Sequence, residues 1–150
     1  MIDKPESVNL VNPPTIIIKK TNNNEMMSQY LKRISIFTPY SKVLNDEVVD
    51  YFKKENFEIT TNSYFDISND LDIGKVDENY LYETLCEMDL GEAEALFISC
   101  TALTALSIID KLEKKLNKIV LSSNQVLIWD TLQSIGKRDR IEGFGRLFKN

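Results

Sequence analysis

A thiol, Cys100, follows the apolar run Ala95-Leu96-Phe97-Ile98 and stands in the hydroxyl-rich turn Ser99-Cys100-Thr101. A cysteine that leaves a buried strand and enters a helix N-terminus meets unsatisfied N–H groups, which favour the thiolate as nucleophile or base. Packed as a small apolar side chain, it is inert. Two further turns, Thr38-Pro39-Tyr40-Ser41 and Ser122-Ser123-Asn124, share the wealth of hydroxyls and amides and also lead toward helices. Together the three make a small, neutral, donor-rich pocket suited to an anion, most simply a carboxylate. The Tyr40 hydroxyl can donate to a substrate carboxylate or to a developing enolate, or the ring can simply cover the sheet edge. Thr38 and Thr101 fit turn and cap roles as well as anion binding, and Asn124 fits a cap or a loop brace. None of these turns holds lysine or arginine, which makes a polyphosphate a poor fit.

Much chemistry is excluded. The chain has no histidine, which removes Ser-His and Cys-His triads, most catalytic zinc sites and the commonest base near neutral pH. Its two cysteines, Cys86 and Cys100, allow at most one disulfide, and Cys86 falls mid-helix beside an apolar stripe. Asp66, Asn69, Asp70 and Asp72 do not follow the calcium-loop spacing, and no glycine-rich nucleotide signature occurs. No metal or cofactor is expected.

These residues need a frame to hold them. The 150 residues amount to one domain, with 43% apolar and 27% charged side chains typical of a soluble globular chain. A net charge of -5 gives no attraction for nucleic acid or anionic membranes. Residues 66–94 carry ten carboxylates and one lysine, whereas residues 137–150 carry five bases and two acids; both read as solvated surface. With no signal-peptide core and no transmembrane stretch near the start, a cytoplasmic location is expected.

Residues 1–24 read as a leader, punctuated by Pro5, Pro13 and Pro14, in which Thr15-Ile16-Ile17-Ile18 is either an edge strand or an arm across a partner. A short helix is expected over 25–31, then a strand over 33–37, the Thr38–Ser41 loop and a helix over 42–54 whose Leu44, Val48, Tyr51 and Phe52 form an apolar stripe. A second strand lies within 57–65, residues 66–75 read as an acidic loop, and Asp77 is a plausible cap for a helix carrying Leu81, Leu85 and Met88. Strand 95–98 leads through the Cys100 turn into a helix running to about Leu116. Strand 118–121 then leads through Ser122-Ser123-Asn124 into a helix carrying Val126, Ile128, Trp129 and Leu132, with an irregular glycine-bearing tail. Four strand–helix alternations predict an α/β three-layer sandwich over 25–150 with a mostly parallel four-stranded sheet. Ligands collect beyond the carboxyl ends of such strands, where the three turns lie.

The run from Ala95 to Leu103, followed by Ile108-Ile109-Asp110-Lys111-Leu112-Glu113, resembles the aspartate/glutamate racemase superfamily. Thr38-Pro39-Tyr40, Ser122-Ser123-Asn124-Gln125 with Trp129, and Gly143-Phe144-Gly145-Arg146-Leu147 are similar to its maleate cis-trans isomerase and arylmalonate decarboxylase branch. The resemblance implies a Rossmann-like subdomain of the racemase fold and chemistry without cofactor or metal. In that family the active site lies between two similar subdomains. Racemases use one thiol from each, maleate isomerase adds a thiolate across a double bond, and arylmalonate decarboxylase protonates an enediolate from one cysteine.

By likeness, Cys100 matches the second cysteine and Tyr40 the tyrosine that binds carboxylate. Thr101 matches a substrate contact, and Asn69 or Asp70 a middle-loop asparagine. With Thr38, Pro39, Ser41, Ser99, Ser123 and Asn124 they form the expected site for a small dicarboxylate or amino dicarboxylate. The first half of the family pattern is missing, so a truncated chain with a site incomplete in the monomer is expected. A homodimer or a complementary subdomain would complete it. The alternatives are a non-catalytic carboxylate-binding or protein-interaction domain and an inactive remnant.

Overall fold

A computed structural model describes residues 31–149. The expected leader (1–24) and nearly all of the short helix (25–31) lie outside the described residues. Four strands form one sheet in the order β2-β1-β3-β4, and every neighbouring pair is parallel. They are β1 (Arg33–Tyr40), β2 (Glu58–Ile67), β3 (Ala95–Ile98) and β4 (Ile119–Ser122). The helices are α1 (Lys42–Lys54), the single turn α2 (Asp70–Ile73), α3 (Glu78–Glu87), α4 (Ile109–Leu116) and α5 (Ser123–Ser134). Three-residue-per-turn segments cover Leu106–Ile108 and Arg146–Lys149.

Side chains that alternate along a strand separate the two cores. On β3, Ala95 and Phe97 face one layer while Leu96 and Ile98 face the other; on β4, Leu121 and Val120 divide the same way. The first layer holds Val48, Val49 and Phe52 of α1, Val126 and Trp129 of α5, and Leu147 and Phe148 near the C-terminus. The second holds Ile73 of α2, Leu81 and Leu85 of α3, and Ile109 and Leu112 of α4. The expected three-layer α/β sandwich is present, with a wholly parallel sheet among the described residues.

Three expectations are corrected. The Thr38-Pro39-Tyr40 loop is the end of β1, because β2 runs alongside it as far as Ile67. Thr38 pairs with Tyr64 and Tyr40 with Ile67, so β2 spends one residue more than β1 across Pro39. Proline has no N–H for the ladder, and a register break is where a strand tolerates it. The acidic stretch 66–75 is not all loop. Its Asp66 belongs to β2, and Asn69 caps α2 by accepting the Leu71 N–H at 2.9 Å. Finally, residues 101–105 are not helical. Leu103 and Ala105 are buried while Ala102 and Thr104 are exposed, a period of two that no helix presents to a core.

Asp77 caps α3 as expected, accepting the Tyr80 N–H at 2.9 Å. At the start of α5, Ser122 and Gln125 form a reciprocal capping box. Near the C-terminus, the Glu113 carboxylate is only 3% exposed and accepts the backbone N–H groups of Val120 at 3.0 Å and Arg146 at 2.8 Å. Burial pushes its carboxyl up from the ordinary value, against the pull of those two donors and the Arg146 charge. A raised native value means that this group's contribution is greatest below the ordinary carboxyl range and is lost as pH rises through the native value.

Replacing Glu113 by Ala leaves the two N–H groups without their acceptor and should destabilise the fold by roughly 1–3 kcal/mol in denaturant titrations. In Glu113→Gln the neutral amide removes the titration. The Tm advantage of the wild type over this variant should therefore grow as pH falls from 7 toward 5; a pH-independent difference contradicts the assignment.

Candidate active site

Chain direction in the sheet reverses between β1 and β3: from β1 the chain moves outward to β2, then crosses back to β3 and moves the other way to β4. At such a switch point the connections leave a crevice beyond the strand carboxyl ends. Phe37 of β1 pairs with Ile98 of β3, and the Ser99 N–H donates to the Phe37 carbonyl at 2.9 Å. Tyr40 lies three residues beyond that pair and Cys100 two, which brings their side chains together at the crevice.

Cys100 is 6% exposed. The Tyr40 phenol has the Cys100 thiol and the Ser99 hydroxyl as its neighbours. Burial, then the hydrogen bond and charge interaction with Cys100, and then the negative charge of Asp70, hold the Tyr40 phenol well above its ordinary range. Tyr40 therefore remains a neutral donor throughout the physiological range, which suits a group meant to hold a carboxylate or an enolate.

The cysteine loop is fastened on both sides. Cys100 N–H donates to Ser123 Oγ at 3.2 Å, and Asn124 Nδ2 donates to the Thr101 carbonyl at 3.0 Å. The Ala102 N–H points back at Cys100 Sγ, 3.3 Å away. This local donor, with Tyr40, replaces the helix N-terminus expected from the sequence: after Cys100 the chain runs irregularly to Leu106 before any helical turn.

The remaining expected residues separate into groups. Asp70 opens α2 and is exposed, with its charge felt at Tyr40. Asn69 beside it is occupied as the α2 cap. Thr38 is fully buried, its hydroxyl donating to Asn45 Oδ1 at 2.9 Å. Pro39 is buried at the register break. Ser41 precedes α1, and its carbonyl accepts the Asn45 N–H at 2.9 Å. Thus Tyr40, Ser99 and Cys100 are neighbours, the Asp70 charge acts on Tyr40 from α2, Ser123 and Asn124 hold the loop that Thr101 belongs to, and Thr38, Pro39 and Asn69 brace the surrounding backbone.

Three polar side chains that shape the site were not anticipated. Asn45 anchors Thr38 from inside α1, where its single buried amide interrupts an apolar stripe. Asp66, at a φ of +61°, accepts the Lys42 N–H at 3.0 Å and caps α1 from the neighbouring strand. Gln125 joins α5 to the C-terminal turn through the Phe144 carbonyl. The only sequence signals were an asparagine in an apolar stripe and a glutamine three residues after a serine cap.

Cys86 is half-buried on α3, and its neighbour is Tyr82 one turn earlier, whose phenol is raised first by the hydrogen bond to that thiol. Both cysteines are free. Among the described residues no cluster of three or more His, Cys, Asp or Glu side chains could hold a metal, and no helix is long and apolar enough to cross a membrane.

A four-stranded parallel α/β sheet flanked by helices is consistent with a Rossmann-like racemase subdomain. The family model for arylmalonate decarboxylase matches residues 14–148, and the chain belongs to that family, within the aspartate/glutamate racemase superfamily and its maleate isomerase/arylmalonate decarboxylase branch. A maleate isomerase from Geobacillus stearothermophilus is 27% identical over 117 residues, 77% of this chain and 47% of the relative. The crystal structure of the maleate isomerase Iso from Pseudomonas putida S16 superposes with a TM-score of 0.76 at 27% identity, covering 80% of this chain and 49% of that one. A cysteine-to-alanine variant of that enzyme with maleate gives 0.75 at 27% identity, covering 79% and 48%. The chain spans about half the length of the relatives it matches.

Tyr40 should ionise well above the ordinary phenol range in the folded protein. Its raised native value also means that stability is lost as pH climbs beyond the ordinary phenol value near 10. Ultraviolet titration of Tyr40→Phe should lose one phenol ionising above the ordinary range; an unaltered curve contradicts the Tyr40 assignment.

Proposed function

We propose that this chain forms one wall of a cofactor-independent isomerase- or racemase-like site that takes a small dicarboxylate or amino dicarboxylate through Cys100. The observation that carries this reading is the Tyr40–Cys100 pair at the crevice between β1 and β3. Its likeness to maleate isomerases, one of them solved with maleate, supports the choice of ligand class.

In this reading the Tyr40 hydroxyl, already a neutral donor, turns from the sulfur to a substrate carboxylate. The freed thiolate then adds to one alkene carbon, and its electron pair appears on the other carbon and the adjoining carboxylate as an enediolate. Rotation about the new single bond and expulsion of the thiolate return the trans alkene, so no electrons or protons are gained or lost. On an amino dicarboxylate the same thiolate takes the α-proton instead. The Asp70 charge beside Tyr40 favours a ligand that carries an ammonium group as well as its carboxylates.

Peptide-resolved alkylation tests the site, with Cys86 as internal control. Maleate or aspartate at ten times its Kd should slow Cys100 modification about tenfold, as the free fraction falls, and leave Cys86 unchanged. Turnover of the protecting ligand identifies an enzyme, whereas protection without turnover identifies a binding domain. Equal rates with and without either ligand rule out the site.

A further inference from the structure

Two segments singled out in the sequence, Ser122-Ser123-Asn124-Gln125 and Gly143-Phe144-Gly145-Arg146-Leu147, are far apart in the chain and neither supplies a reacting group. The structure joins them. Gln125 is fully buried; its Nε2 donates to the Phe144 carbonyl at 2.6 Å, and its Oε1 accepts the Ser122 N–H at 3.3 Å. Its own backbone N–H donates to Ser122 Oγ at 3.2 Å. One side chain therefore closes the α5 cap and clamps the C-terminal turn.

That turn fits only as glycine. Gly145 has a φ of +86°, and a Cβ there would lie 2.6 Å from Ile109 Cγ2 and 3.0 Å from Gln125 Nε2. On the other side of the cap, the next two residues, Ser123 and Asn124, hold the Cys100 N–H and the Thr101 carbonyl. Hydrogen bonds of 2.6–3.3 Å, joined through the backbone of the first turn of α5, thus link the C-terminal turn and Gln125 to the backbone of the cysteine loop.

We propose that Gln125 is a positioning residue for Cys100: by locking the first turn of α5 onto the C-terminal turn, it fixes both hydrogen bonds that hold the cysteine loop in place. The proposal rests on the reading of Cys100 as the reactive group, yet it concerns the backbone of the loop and is tested there. Gln125 touches neither the thiol nor Tyr40; it acts through Ser123 and Asn124.

Gln125→Glu keeps the shape and the acceptor for Ser122 N–H but sets a carboxylate oxygen against the Phe144 carbonyl. In hydrogen–deuterium exchange without ligand, amides of residues 99–103 should exchange about tenfold faster, as should those of 141–149, while β3 stays protected; a tenfold change corresponds to about 1.4 kcal/mol. The Cys100:Cys86 alkylation ratio should shift with them. A lower Tm with unchanged exchange at 99–103 gives Gln125 a purely structural role and overturns the proposal. Should Gln125→Glu not fold, Ser123→Ala carries the test. It leaves the clamp intact and removes the acceptor for Cys100 N–H, so 99–103 should loosen while 141–149 does not; unchanged exchange at 99–103 overturns the proposal equally. Since no ligand is present, neither result depends on whether maleate or aspartate protects the thiol.

Discussion

Parallel strands ordered β2-β1-β3-β4 force the chain to leave the middle of the sheet in opposite directions, and everything at the site depends on that reversal. The connections after β1 and β3 diverge, so the carboxyl ends of these two central strands are left uncovered between them. The Phe37–Ile98 pairing then sets how far each chain projects, and it places a phenol and a thiol against one another.

Holding the pair is largely the task of polar side chains, buried at Asn45 and exposed at Asp66. Asn45 ties the end of β1 to α1, Asp66 ties α1 to β2, and Ser123 and Asn124 tie the cysteine loop to α5. Each of these bonds joins segments that two apolar cores have already brought into place. At the buried Thr38–Asn45 bond a lost partner is costly, so it specifies one arrangement more strongly than apolar contacts do. The thiol itself is served by two donors of different kinds: a backbone N–H fixed by its own loop and a phenol that can rotate toward a ligand.

Much of the frame was legible in the sequence. The bounds of α1 and β3 follow from an apolar stripe and a short buried run, and the Asp77 cap from residue type alone. Of the three expected turns, Ser99-Cys100-Thr101 and Ser122-Ser123-Asn124 are joined by hydrogen bonds, while Thr38-Pro39-Tyr40 ends β1. What escaped was decided by partners distant in sequence. Thr38-Pro39-Tyr40 reads as a turn until β2 lies alongside it, and residues 101–105 read as helix until Leu103 and Ala105 find the core. The Gln125–Phe144 and Lys42–Asp66 bonds span separations that no local pattern encodes. Membership of the arylmalonate decarboxylase family was carried by motifs in order along the chain, and the described structure shows several of them gathered around one loop.

The central claim is that the Tyr40 hydroxyl and the Cys100 sulfur act on each other. It is tested most directly by the alkylation rate of Cys100 in Tyr40→Phe at neutral pH, read against Cys86 in the same molecule. Loss of the phenol beside the thiol predicts slower alkylation at Cys100 and no change at Cys86. Equal Cys100 rates in the variant and the wild type, with the fold intact by circular dichroism, would contradict the pairing on which the site is built.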